Sequence, residues 1–155
     1  MLSRTDLVKI KKETEEFFKK TTFEVEINFL PQRELTLPVN LKTAEPQILI
    51  GEKGETLSEI QHLLKAILRR KINGEERFYL DLDINDYKKK KNAYLKEMAR
   101  SLADEVVLTK KEKILSPMTA YERRIVHLEL ADSPNIVTES VGEEPERSVV
   151  IRPRP

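Results

Sequence analysis

Two of the chain's four glycines, Gly51 and Gly54, stand three residues apart in "QILIGEKGETLSEIQHLL", between an apolar run and an amphipathic segment. Glycine at both ends of a short turn lets the backbone approach a ligand where a side chain would collide. If the turn feeds a helix N-terminus, unpaired amides and the positive end of the helix dipole point the same way, which suits a phosphate. Lys53 can reach a phosphate oxygen, whereas Glu52 repels one unless it turns away. The spacing excludes two better-known phosphate loops, since "GEKGET" is neither the G-x-x-x-x-G-K-[ST] of a nucleotide triphosphatase nor the G-x-G-x-x-G of a dinucleotide fold. On these four residues alone, a tight helix-to-helix connection that binds nothing is the better reading.

A second cluster lies in "SPMTAYERRIVHLEL", where Arg123 and His127 stand four residues apart and share one face of a helix. If Tyr121, Ile125 and Leu128 mark the buried side, Arg123 and His127 point away from it, with Arg124 beside them. Arginine can bind phosphate or stack on a base, and imidazole can stack or hydrogen bond at an irregular strand. An interior or capping histidine beside a solvated arginine fits the spacing equally well. His62 faces away from its helix's Leu/Ile stripe and reads as an ordinary exposed histidine. The lysines at 88 to 91 cover nearly a full turn and cannot share one face, so they read either as solvated surface or as one or two contacts to a polyanion, at Lys88 and Lys91. Arg152 and Arg154 read as an extension of basic surface or as a frayed terminus.

Other chemistries find little support. The absence of cysteine excludes disulfides, thiolate metal sites and a cysteine nucleophile, and two histidines leave little for a metal centre. No acid pair stands out as a catalytic dyad. No cofactor, metal or catalytic residue is therefore expected. With 35% charged residues and no apolar run near the ~18 needed to span a bilayer, the chain reads as soluble, without membrane insertion and cytoplasmic. Its net charge of +1 conceals local clusters of both signs.

The elements that must position these residues follow from hydrophobic spacing. Leu7, Ile10, Thr14, Phe17 and Phe18 predict a helix over residues 6 to 20. Phe23, Val25, Ile27 and Phe29, then Leu35, Leu37 and Val39, alternate as two strands joined by a hairpin-length loop, and Pro38 suggests that the second strand, or its end, lies at a sheet edge. Leu57, Ile60, Leu63, Leu64, Ile67 and Leu68 form one helical stripe that stops near Asn73-Gly74. Phe78, Leu80, Leu82 and Ile84 then alternate as a strand. From Asp86 to about Leu108 the period becomes that of one long helix through Tyr87, Tyr94, Leu95, Met98, Leu102 and Val106. A break, a short helix in "TAYERRIVHLEL" and two strands joined by the acidic "VGEEPE" complete the chain. The class is α+β, with two units, residues 1–84 and 85–155.

In this order of elements, "ILIGEKGETLSEIQHLL" resembles the prokaryotic-type (type II) KH domain, whose G-x-x-G loop clamps the backbone of about four nucleotides. The resemblance implies that Gly51 and Gly54 permit the approach, that Lys53 supplies charge, and that Glu52 is a departure which lowers affinity. "SPMTAYERRIVHLEL" with "VTESVGEEPERSVVIRP" resembles the R-3-H domain, named for its Arg-x-x-x-His signature and associated with single-stranded nucleic acid. KH followed by R-3-H is similar to the Jag family (SpoIIIJ-associated, KhpB/EloR-like) of bacterial RNA-binding proteins, over practically the entire chain. Members usually carry a further small N-terminal domain and a linker, without counterpart here. Where they show Tyr-Arg-x-x-Arg, this chain has Tyr87-Lys88 and Lys91, which keeps charge but loses the bidentate fork.

The resemblance implies a non-enzymatic binder of single-stranded RNA, with single-stranded DNA as an alternative ligand, acting in post-transcriptional or cell-envelope and division control. A second reading is a protein-interaction adaptor that forms a homodimer, or a heterodimer with a small KH-domain protein, with RNA binding secondary. Glu52 and the near-zero net charge favour the second reading.

Overall fold

Leu80, Leu82 and Ile84 alternate with Tyr79, Asp81 and Asp83, and in the structure, a computed structural model describing residues 1–72 and 77–155, the three apolar residues are buried in strand β3 (Tyr79–Ile84). The stop signal at Asn73-Gly74 lies outside the described residues. β3 runs parallel to β2 (Thr36–Lys42), which pairs antiparallel with β1 (Glu26–Phe29), giving the sheet order β1-β2-β3. Helices α1 (Arg4–Lys19) and α3 (Glu55–Lys71) bury Ile10, Phe18, Leu57, Leu64 and Leu68 in one core with Leu37, Val39 and Leu41 of β2. Each such side chain contributes about 1.5–3 kcal/mol by leaving water. The α+β class is therefore as the sequence implies, a small sheet packed with helices.

Four local readings are corrected. β2 is the central strand, so of the two alternatives for Pro38 the whole-strand edge is excluded and only the end of the strand lies beyond β1. Pro38 is tolerated there because its carbonyl accepts from Leu30 N–H, just beyond the last β1 pair, Phe29 with Val39, so the missing donor falls where β1 has already ended. Phe23 and Val25 precede β1 but still pack on the core. Leu35 is exposed ahead of β2, and Leu41, further along, takes the buried position. Leu63 of the α3 stripe is exposed, as is Tyr94 of the long helix.

Two compact units divide the chain, Met1–Lys88 and Lys89–Pro155. The division falls inside the first turn of α4 (Tyr87–Thr109), where Lys88 Nζ lies 2.9 Å from both Asp81 Oδ1 and Gln61 Oε1. Lys88 N–H also donates to Asp83 Oδ1 at 2.9 Å, so a β3 carboxylate caps the helix start.

The second unit has its own sheet, with β4 (Lys113–Ile114), β6 (Ser148–Pro153) and β5 (Ile136–Val141) in the order β4-β6-β5 and all pairs antiparallel. α5 (Ala120–Leu130) carries Val126 and Leu130 into a core with Ala99, Ala103, Ile136, Val149 and Ile151. α4 and α5 run side by side in the same direction, since Asn92 bonds Tyr121 and Arg100 bonds Glu129, each 29 residues on.

Candidate nucleic-acid interface

Pro46 opens a short helix, α2 (Pro46–Ile50), that the apolar run "QILI" does not announce, because proline at the first helical position costs no hydrogen bond. Gly51 ends it at φ 72°, donating to the Gln47 carbonyl at 2.9 Å. Glu52–Gly54 make one 3-10 turn with Lys53 at φ 52°, and Gly54 at φ 82° stands at the N-cap of α3. Both glycines occupy the left-handed region that other residues avoid. Space is also short: a Cβ on Gly51 would fall 2.1 Å from Thr56 Oγ1, and one on Gly54 would fall 3.1 Å from the Tyr87 ring. The turn is thus the tight helix-to-helix connection considered from the sequence, and its glycines are required by the fold itself.

The same geometry leaves the turn open. With glycine at the N-cap, no side chain there satisfies the first amides of α3. Glu52 and Lys53 are exposed, while Gly51 and Gly54 are half-buried. Two hollows of the first unit, among the described residues, lie elsewhere, around Glu24 and Asn40 and around Phe18 and Thr22.

On α5 the expected faces are reversed. A capping box fixes the helix start: Thr119 Oγ1 accepts from Glu122 N–H and the Glu122 carboxylate accepts from Thr119 N–H. Tyr121 and Leu128, expected inside, are 61% and 64% exposed, whereas Arg123, expected outside, is 7% exposed. Arg123 Nη1 donates to the Met118 carbonyl at 2.7 Å and Nη2 pairs with Glu144 at 2.7 Å in the loop between β5 and β6. Its guanidinium is held inside the unit and does not stand free for a ligand. The reason is phase: Glu122, Arg123, Val126 and Leu130 form the inner stripe, so the apolar residues at 121 and 128 fall outside it.

His127 lies at the border of that stripe, half-buried, with Nδ1 2.7 Å from Thr138 Oγ1 and Nε2 2.8 Å from Ser140 Oγ, both on β5. Burial, with a smaller contribution from the Arg123 charge, lowers its pKa below the usual 6.5. It is an interior histidine bridging helix and strand, as in the second of the two readings that the spacing allows, but the Arg123 beside it is buried and not solvated. Arg124 is exposed, and no acid pairs with it among the described residues. His62 is exposed, as read from the sequence.

The lysine run also divides differently from expectation. Lys88 and Lys91, singled out as contacts, are half-buried in ion pairs with Asp81 and with Glu122, while Lys89 and Lys90 between them are exposed. Helical spacing places 88 and 91 on one side, and that side turns inward. Arg152 is neither frayed nor open, since it pairs with Glu112 and Glu139, which raise its pKa. Sequence reasoning missed Thr138, Ser140 and Glu144 as partners and Tyr121 as a surface residue. No local signal marks Tyr121 as outward, because the Thr119-x-x-Glu122 signature fixes where the helix starts and not which face it buries.

Among the described residues no three His, Cys, Asp or Glu side chains gather as metal ligands, and no helix is long and apolar enough to cross a membrane.

Comparison with known proteins adds a family to this geometry. The R-3-H domain family matches residues 93–153, which include α5, β5 and β6. A protein named RNA-binding protein KhpB from Lactiplantibacillus plantarum is 35% identical over 113 residues, 73% of this chain and 34% of its own length. Its namesake from Clostridium symbiosum is 36% identical over 120 residues, 77% of this chain and 53% of the relative. A third, from Bacillus subtilis, is 34% identical over 118 residues, 75% of this chain and 56% of the relative. The chain thus spans between a third and somewhat over half of these relatives. The chain thus carries an R-3-H domain over residues 93–153, and its similarity to the proteins named KhpB reaches well beyond that domain into the first unit.

Proposed function

We propose that this chain binds single-stranded RNA without catalysing a reaction, through a KH-type unit over residues 1–88 and the R-3-H domain that follows. The observation that carries the reading is the Gly51–Gly54 turn, which enters α3 without a side-chain cap and beside an exposed Lys53. The order α1-β1-β2-α2-α3-β3, with β2 and β3 parallel and the glycine turn between α2 and α3, supports the type II KH assignment. The printed name of the relatives, RNA-binding protein, supports the ligand class. Two modest sites on one chain raise affinity through effective concentration. Single-stranded DNA is the nearest competing ligand. In this reading the protein works in the cytoplasm on transcripts, and envelope or division control is the setting that the Jag resemblance suggests.

Within the R-3-H domain, the part played by Arg123 and His127 is to hold α5 on β5 and its loop, and the outward cation is Arg124. Lys88 and Lys91 act on the ligand only through the field of the region, since both are engaged in ion pairs.

The experiment is fluorescence anisotropy with labelled polyuridylate over a salt series. Affinity should fall steeply with salt, and Lys53→Asp should weaken binding and lower the logarithmic salt slope by about one. Aspartate tolerates the left-handed backbone at 53, so the loop should keep its shape. Binding that ignores salt, or no binding, would defeat the reading.

The adaptor reading keeps one structural argument: Ile48 on α2 and Leu63 on α3 are exposed apolar side chains. Sedimentation of Leu63→Glu against the parent tests it. A concentration-dependent dimer abolished by the substitution would favour self-association.

A further inference from the structure

The outer face of α5 carries Tyr121, Arg124 and Leu128 at i, i+3 and i+7, the first and last of them exposed large apolar side chains. Folding does not require an aromatic ring there, since the core of the unit is built from the opposite stripe. The ring is nevertheless fixed: Asn92 Nδ2 donates to Tyr121 Oη at 3.1 Å across the α4–α5 seam. Asn92 shares its α4 stripe with Lys89 and Lys96, both exposed and without an acidic partner among the described residues. The acids of α5 are already engaged, Glu122 by Lys91 and Glu129 by Arg100. The uncompensated charge around Tyr121 is therefore positive, from Arg124, Lys89 and Lys96.

A flat ring held at its hydroxyl, a guanidinium one turn away and ammonium groups alongside match what one nucleotide of a flexible polyanion presents: a π face and the phosphates next to it. An acidic protein would meet the cations but has no need of the oriented ring, and a purely apolar partner would leave three cations unpaired. Resting on the RNA reading above, we propose that Tyr121, Arg124 and Leu128 form the stacking platform of the R-3-H domain, taking one unpaired base on the Tyr121 ring with its phosphates on Arg124 and the lysines. The outward face of α5 is thus the contact surface, and the Arg-x-x-x-His pair lies behind it as support.

The experiment uses the full chain, polyuridylate and two readouts. In anisotropy, Tyr121→Ala should weaken binding about tenfold, the range of one lost base stack, and Tyr121→Phe, which keeps the ring but loses its bond to Asn92, should weaken it less than Tyr121→Ala. Arg124→Gln should lower the logarithmic salt slope by about one. All three sites are on the surface, and unchanged thermal melting checks that the fold is kept. In the second readout, 4-thiouridine in the oligonucleotide is crosslinked by light and the attached peptide identified, with an adduct at Tyr121 or its neighbours expected. If the parent binds polyuridylate while Tyr121→Ala and Arg124→Gln bind as tightly as it does, the platform is overturned and the RNA reading stands. If the parent does not bind, both fall.

Discussion

Arg123 Nη2 and Glu144 Oε1 stand 2.7 Å apart, joining the middle of α5 to the loop between β5 and β6, while Arg123 Nη1 donates to the Met118 carbonyl at the same distance. The two contacts are unequal. Glu144 is 58% exposed in its side chain, so water replaces a lost partner there at little cost, typically about 0–1 kcal/mol. Met118 O faces a nearly buried guanidinium, and losing that donor costs more. Glu144→Gln should therefore destabilise the protein by less than about 1 kcal/mol and Arg123→Ala by about 1–3 kcal/mol, both read from urea denaturation. Equal effects of the two substitutions would show that the loop contact, and not the carbonyl, fixes Arg123.

The two glycines of the turn differ in what surrounds them, and their alanine variants should differ likewise. Each has a positive φ that costs alanine about 1–2 kcal/mol. At Gly51 the new methyl also meets Thr56 Oγ1 at 2.1 Å, Thr56 Cβ at 2.8 Å and the Thr56 backbone N at 3.0 Å, which the first turn of α3 cannot relieve by a rotamer change alone. At Gly54 it meets only the edge of the Tyr87 ring, at 3.1 Å. Gly51→Ala should therefore lower the melting temperature more than Gly54→Ala, as calorimetry would record. A carboxylate placed at Gly54 would report on folding as much as on a ligand, which is why the binding test uses Lys53.

Thr119 and Glu122 close the capping box that starts α5, and the Lys91 ammonium sits on the same carboxylate. Hydrogen bonding and charge together hold Glu122 below the usual carboxylate pKa in spite of its burial. Thr119→Ala should cost about 1 kcal/mol, within the range of lost N-caps. If α5 carries the nucleic-acid surface, the same variant should weaken polyuridylate binding less than Tyr121→Ala at a temperature where both are folded. Anisotropy at about 15 °C, near the usual stability maximum, against melting curves separates the two effects.

Where one pattern dominates, the chain is legible. Leu80, Leu82 and Ile84 alternate without exception, and β3 and its buried face follow from that alone. The glycine turn is legible as well, because two of the chain's four glycines stand at a helix start. α2 is not, since five residues hold less than two turns and their apolar run suits strand or helix. α5 misleads for a different reason. Its outer residues Tyr121 and Leu128 are apolar, its inner ones include Glu122 and Arg123, and hydrophobicity therefore points the wrong way. Only the tertiary partners, Met118 O, Glu144, Thr138 and Ser140, satisfy those inner polar groups, and no local pattern announces a partner on another element.

His127 should make the second unit sensitive to acid. Both ring nitrogens meet hydroxyls, Thr138 Oγ1 and Ser140 Oγ, while burial first and the Arg123 charge second disfavour the imidazolium and lower the pKa below 6.5. Near and below pH 6.5 the unfolded chain takes up this proton more readily than the folded one, so protonation favours unfolding. The histidine's contribution is thus fully present above the unfolded pKa and is lost as pH falls through the lower, folded one. Urea midpoints measured from about pH 8 down to about pH 5 should decline across that window, and His127→Gln, which keeps a polar contact to β5 but cannot titrate, should decline less. NMR titration of His127 gives an independent check: its midpoint should fall below the usual 6.5. Parallel declines in parent and variant would place the acid sensitivity on other groups, the paired carboxylates first among them.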